Sequence, residues 1–207
     1  MNITDRAQFR ADVARWDDAR TLADLGELTA LWLLHDGVIY HPGYGDWEGD
    51  PGPDQETAEI VGPLAAANRA GYVTDCSQPG RIHERGWDGS WWDQRAAVTG
   101  YATIPTRDRL RARMDNQLIV IDRPLRILPW GKWRHVTPVT WRNKEEHTWF
   151  GHRFAILDIL REYNSRSWRL NMRLARARQI TIIDPKPCRN TLLWPLLAEF
   201  GDSTETG

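Results

Sequence analysis

The stretch NRAGYVTDCSQPGR, Asn68 to Arg81, is where the chain changes its period. Upstream, QETAEIVGPLAAANRAG has apolar residues at helical spacing, with Gly71 placed to end a helix and Pro63 placed to kink it. Downstream, Tyr72 to Thr74 reads as a strand, and so does QRAAVTGYA, Gln94 to Ala102. At the junction, Asp75, Cys76, Ser77 and Gln78 form a dense cluster of small hydrogen-bonding side chains, shut off by Pro79 and Gly80. Such a cluster is either a self-satisfied polar turn or one wall of a site that reads a polar small molecule.

Toward the N-terminus the helical period persists. TLADLGELTALWLL places Leu22, Leu25, Leu28, Leu31 and Trp32 on one face, with Thr21 as a candidate cap. ITDRAQFRADVARW reads as an earlier helix capped by Thr4. HPGYGDWEGDPGPD, His41 to Asp54, is too rich in Gly and Pro for anything but loop. Toward the C-terminus, QLIVID and QITIID read as buried strands, and HVTPVTW and EHTWF as weaker ones. TRDRLRARMDN is a helix opened by Thr106, and GHRFAILDILREY, SWRLNMRLARA and NTLLWPLLAEF are three more. Helices and strands are interspersed without alternating as βαβ units. The expectation is therefore a single α+β domain over residues 16–200, with a mixed sheet surrounded by helices. Residues 1–15 read as a helical extension and 201–207 as a disordered tail.

Composition narrows the function classes. Lys and Arg number 27 against 28 Asp and Glu, a net charge of −1 that argues against a dedicated nucleic-acid binder. Two cysteines, Cys76 and Cys188, are too few for a disulfide framework and fit a reducing compartment. The first residues have no apolar core of a signal peptide, and no apolar run approaches the ~18 residues of a membrane span. A cytoplasmic protein is expected.

The usual chemical motifs are missing. There is no P-loop, nucleophile elbow or zincin motif. His147 and His152 have the wrong spacing for two ligands on one helix face. The arginine-rich run from Arg161 to Arg178 reads as a solvated helix face. What remains are neutral hydroxyls and amides near strand ends, Thr74, Ser77, Gln78, Thr140 and Thr148, with Glu56 as a carboxylate able to accept from a ribose diol.

These residues resemble the C-terminal regulatory domain of eukaryotic methylenetetrahydrofolate reductase, a domain that binds S-adenosylmethionine. In that family an acidic-Thr pair opens a helix, an Asn-Arg and a Gly close it, and a Thr and then Ser-Gln-Pro follow. Here these are Glu56-Thr57, Asn68-Arg69, Gly71, Thr74 and Ser77-Gln78-Pro79, in gapless register from Glu56 to Thr74. LGEL at Leu25, Gly86-Trp87, Gln94 to Ala96, Val139 to Trp141 and Ile182 to Asp184 with Asn190 and Trp194 follow in the same order. The resemblance implies ligand contacts at Glu56, Thr57, Thr74, Ser77 and Thr140, with Thr148 beside a shortened loop. It implies a ligand of the S-adenosylmethionine or S-adenosylhomocysteine type. A tryptophan of GWDGSWW (Trp87, Trp91 or Trp92) would cover the adenine or the cationic sulfonium. The family's catalytic barrel, ~250 residues by itself, has no counterpart in 207 residues. Asp75-Cys76 also departs from the family pattern.

The first expectation is thus a stand-alone binding module for an adenosyl compound or related adenine nucleotide, a sensor for a separate protein partner or a sequestering protein. An enzyme acting on such a ligand is the alternative, a lyase or hydrolase with Glu56, Asp75 or Cys76 as acid-base groups. An interaction protein with an empty inherited pocket is the third.

Overall fold

Gly71, at φ +91°, divides the helical part of the chain from the strand-rich part. The computed structural model describes residues 3–44, 52–126, 136–163 and 168–202. The elements are α1 (Ile3–Asp18), α2 (Leu22–Leu33), α3 (Val61–Arg69), β1 (Val73–Gln78), β2 (Arg81–Arg85), β3 (Trp91–Ala102), α4 (Ile104–Arg111), β4 (Ile119–Pro124), β5 (Thr137–Arg142), β6 (Glu145–Phe150), α5 (Ile156–Glu162), α6 (Trp168–Ala175), β7 (Arg178–Pro187) and α7 (Leu193–Asp202). The fold is α+β, a seven-stranded antiparallel sheet with helices packed on it, in one domain.

Local chemistry sets the boundaries. Thr21 caps α2 through a full capping box: its side chain accepts from the Asp24 N–H, and the Asp24 carboxylate accepts from the Thr21 N–H. Thr4 lies inside α1 instead of ahead of it, because the helix already runs from Ile3. α1 crosses residue 15 without a break, and its Asp12 is fully buried, accepting from the main-chain N–H groups of Ile39 and Tyr40. The single helix expected over 55–71 is divided. Gln55–Ile60 is a 3₁₀ turn and α3 starts at Val61. Pro63, in the first turn of α3, has no N–H to extend α-helical bonding backward, so it marks a helix start and not a kink. At the other end Tyr72 N–H bonds to Ala67 C=O and Gly71 N–H to Asn68 C=O, a closure that needs the left-handed Gly71. α4 is opened by Thr103, not Thr106. α5 starts at Ile156, well after Gly151, and α7 extends through Gly201 and Asp202. Residues 203–207 of the expected tail and 45–51 of the expected loop lie outside the described residues.

β3 is the strand on which the sheet is assembled. Its C-terminal half pairs with β1 on one side and β7 on the other, and β4 pairs with β7 beyond. Its N-terminal half pairs with β2 and β5, and β6 lies outside β5. One face of the sheet, with Val98, Ile180 and Ile182, meets Leu25, Trp32, Leu64, Leu174, Leu197 and Phe200 from the helices in the main core. The other face carries a smaller cluster of Ala97, Val139, Phe150 and Ile183, with Cys76 packed against it.

The register of β1 matters most for function. Thr74 lies opposite Gly100 and Cys76 opposite Thr99, so Asp75 is an inserted, bulged residue. Ser77 then lies opposite Val98. On the unbulged β3, Val98 and Gly100 share a face, so Thr74 and Ser77 share one too, which an odd separation forbids in a regular strand. Cys76 and Gln78 turn the other way, with Ala97 as the partner of Gln78. Among the described residues, no helix is long and apolar enough to cross a membrane.

Candidate functional site

A recess opens where the edge of β1 meets α2 and the turn before α3. It is lined by Thr29, Trp32 and Leu33 of α2, His41 and Tyr44, Pro53, Asp54 and Thr57, Leu64 of α3, and Thr74, Asp75 and Ser77 of β1. The cavity enclosed among them is small, about 40 Å³, well below the volume of typical small-molecule sites, so an adenosyl-sized ligand would have to open it on binding.

Each wall is fixed from behind. Asn68 is fully buried at the end of α3. Its amide donates to Leu64 C=O at 2.8 Å and to Thr74 Oγ1 at 2.7 Å, and its carbonyl accepts from Thr74 N–H at 2.9 Å. An amide nitrogen only donates, so the Thr74 hydroxyl is the acceptor there and keeps its own proton to donate elsewhere. Thr29 returns its hydroxyl to Leu25 C=O. The Thr57 N–H is tied to Asp54 C=O in the 3₁₀ turn. Tyr44 donates its hydroxyl to the Asp75 carbonyl at 3.0 Å, closing the outer rim onto the bulge.

Two titratable groups are strongly shifted. His41 is only 4 % exposed, among the rings of Trp16, Trp32, Tyr44 and Tyr163. Burial lowers its pKa to about 3, so the imidazole is neutral in this fold. Asp75 is pushed up to about 6 by burial, against hydrogen bonds from the Tyr101 hydroxyl and the Cys76 side chain. The two act oppositely on stability. Between pH 6.5 and about 3 an unfolded His41 binds a proton that the folded one refuses, so its contribution is lost as pH falls. Over 3.8 to about 6, folded Asp75 holds a proton the unfolded carboxyl has lost, so its contribution grows as pH falls. Comparing wild type with His41→Phe isolates the first effect. The stability difference is expected to move against the wild type by about 1.4 kcal/mol per pH unit on acidification from pH 6 to pH 4. Urea midpoints at three pH values measure it, and parallel profiles would show that His41 is not held neutral.

The structure brings Thr57, Thr74 and Ser77 into this recess and places the other sequence candidates elsewhere. Glu56 is exposed on the same 3₁₀ turn, outside the lining. Partial covering of its carboxyl raises its pKa, against a hydrogen bond from the Gln94 side chain. Gln78 donates to Arg95 C=O and Val139 C=O and accepts from the Thr140 hydroxyl, so both side chains tie β1 to β3 and β5. Thr148 lies opposite Thr140 on β6. Trp87 is fully exposed in the turn before β3, Trp91 is half exposed, and Trp92 packs on His147. The aromatic wall of the recess comes instead from Trp32 and Tyr44, whose ring centroids lie 4.7 Å apart. Thr29, Trp32, His41 and Tyr44 were missed by sequence reasoning. The helical stripe explained Trp32 as core, and the Gly- and Pro-rich run explained His41 and Tyr44 as loop.

Fold and recess together define an α+β domain with an antiparallel sheet and a polar, aromatic-walled site at a bulged sheet edge. The family model described as a domain of unknown function (DUF6919) matches residues 11–200, and the chain belongs to that family. No curated protein matches it in sequence.

Proposed function

We propose that the protein is a binding module for S-adenosylmethionine, S-adenosylhomocysteine or a related adenine nucleotide, acting as a sensor or sequestering protein in the cytoplasm. The observation that carries this is the convergence of Thr57, Thr74 and Ser77. They come from two elements, are implied as adenosyl contacts by the resemblance, and line one recess because of the bulge at Asp75. Cys76 and Cys188 are not joined in a disulfide, in keeping with a reducing compartment.

Recognition proceeds without bond-making. The proton of the Thr74 hydroxyl points its donation to the ligand, Thr57 and Ser77 add hydroxyl contacts, and the rings of Trp32 and Tyr44 favour a flat or cationic group. Glu56, exposed on the same 3₁₀ turn as Thr57, would accept from ribose hydroxyls that reach beyond the recess. A Thr74→Val protein is expected to bind roughly 1–3 kcal/mol more weakly, because a buried ligand group loses its partner. Affinity equal to the wild type, in a variant shown to be folded, removes Thr74 from the site.

A native mass spectrum of the purified protein, before and after incubation with each adenosyl compound, tests the assignment. A retained adduct of the ligand's mass supports it; a bare chain under all conditions opposes it. One observation favours turnover as a second reading: Asp75, with its pKa near 6, lines the recess and takes a hydrogen bond from the Cys76 side chain behind it. Products of the incubated ligand in the same spectra would establish an enzyme, and an unaltered ligand would leave the binding module.

A further inference from the structure

The His41 ring has one nitrogen accounted for. Its Nδ1 accepts from the Gly43 N–H at 3.1 Å, so in the neutral ring the proton sits on Nε2. Among the described residues that buried Nε2–H has no hydrogen-bond partner, and His41 lines the recess. Buried donors are rarely left unpaired, and one at a recess signals a missing acceptor. Tyr44, 39 % exposed, is the outer member of the ring stack, and His41 is the inner one. The charge of the lining is the second observation. Among the described residues it contains Asp54 and Asp75 and no lysine or arginine. A phosphate entering here would meet carboxylates without a cation to offset them.

We infer that His41 is a ligand-recognition residue whose Nε2–H donates to a ring-nitrogen or carbonyl acceptor of an uncharged aromatic heterocycle, and that the recess rejects phosphate-bearing ligands. An adenine edge offers such acceptors at its ring nitrogens. The inference rests on the adenosyl reading for the choice of heterocycle, and it narrows that reading to adenosine and the sulfonium or thioether compounds over nucleoside phosphates.

The test is imidazole ¹⁵N–¹H NMR of the full chain, titrated with adenosine, S-adenosylmethionine, AMP, ATP, guanosine and cytidine, with His41→Phe to assign the signal. Adenosine and S-adenosylmethionine are expected to shift the His41 Nε2–H resonance. AMP and ATP are expected to bind at least tenfold more weakly, and His41→Phe to lose about tenfold in adenosine affinity, the worth of one neutral hydrogen bond. A resonance unmoved by every compound overturns the inference, as does AMP binding as tightly as adenosine. The adenosyl reading is separable. If guanosine or cytidine moves the resonance and no adenosyl compound binds, that reading fails and the role of His41 stands. If adenosine binds with the resonance unmoved, the reading stands and His41 is structural.

Discussion

An Asn68→Ala protein is expected to lose about 3 kcal/mol of stability, seen as a melting temperature lower by about 6–12 °C. The side chain is fully buried and makes three hydrogen bonds, to Leu64 C=O, Thr74 Oγ1 and Thr74 N–H. Truncation leaves those groups without partners in a place water does not reach. Each such loss costs roughly 1–3 kcal/mol, and the cavity left by the amide adds to it. The change also frees the Thr74 hydroxyl from the acceptor role that aims its proton, so ligand affinity should fall together with stability. A melting temperature within a degree of the wild type would mean that the end of α3 and β1 are held together by something other than this clamp.

Gly100→Ala is expected to be at least as damaging, by a different route. A Cβ at that position would lie 2.3 Å from the Val73 carbonyl oxygen, 2.9 Å from the Tyr72 ring and 3.0 Å from Thr74 Cα. The first and third of these are main chain, so no side-chain rotation relieves the overlap. β1 must move away from β3, and overpacking of that kind costs about 1–3 kcal/mol or more. Among the described strands β1 pairs only with β3, so it can yield where a central strand could not. Hydrogen exchange should show this directly: amides of β1 lose protection while those of β4 and β7 keep theirs, and ligand binding falls with the displacement of Thr74 and Ser77. Unchanged protection across β1 would show that the close approach of Val73 to Gly100 is not tight in solution.

Much of the fold was legible because local chemistry and burial agreed. The stripe of Leu22, Leu25 and Leu28 with the Thr21 cap specifies α2, and the Gly71 closure and the apolar run of β7 are equally direct. QLIVID is a strand but not the buried one its composition suggests: among the described strands β4 lies at the sheet edge, with Ile119, Val120 and Ile121 half buried. β2 was not legible. RIHER is an exposed strand at the edge with no buried face, so it carries no alternation to read, and His83 within it has a left-handed φ of 49°. The site was half legible. Thr57, Thr74 and Ser77 could be singled out by resemblance, but a period of two puts Thr74 and Ser77 on opposite faces. Only the bulge at Asp75 reunites them, and nothing in TDCS announces it. Trp87 illustrates the reverse error. Its sequence neighbourhood suggested a ligand cover, but the turn Gly86–Ser90 projects it wholly into solvent, and Trp32, read as core, takes the place beside the recess. His41 was hidden by its Gly- and Pro-rich flank, where a loop histidine is the default and burial among four rings cannot be read from spacing.

The central claim is that the recess at the bulged edge of β1 holds an adenosyl compound, and calorimetric titration tests it most directly. S-adenosylmethionine, S-adenosylhomocysteine and adenosine would be titrated separately into the folded wild type and into a folded Thr57→Val, Ser77→Ala double variant. At least one ligand should give saturable heat at one site per chain, and the double variant should bind it at least tenfold more weakly. No heat from any of the three in the wild type, or the same affinity in the variant, would contradict the claim.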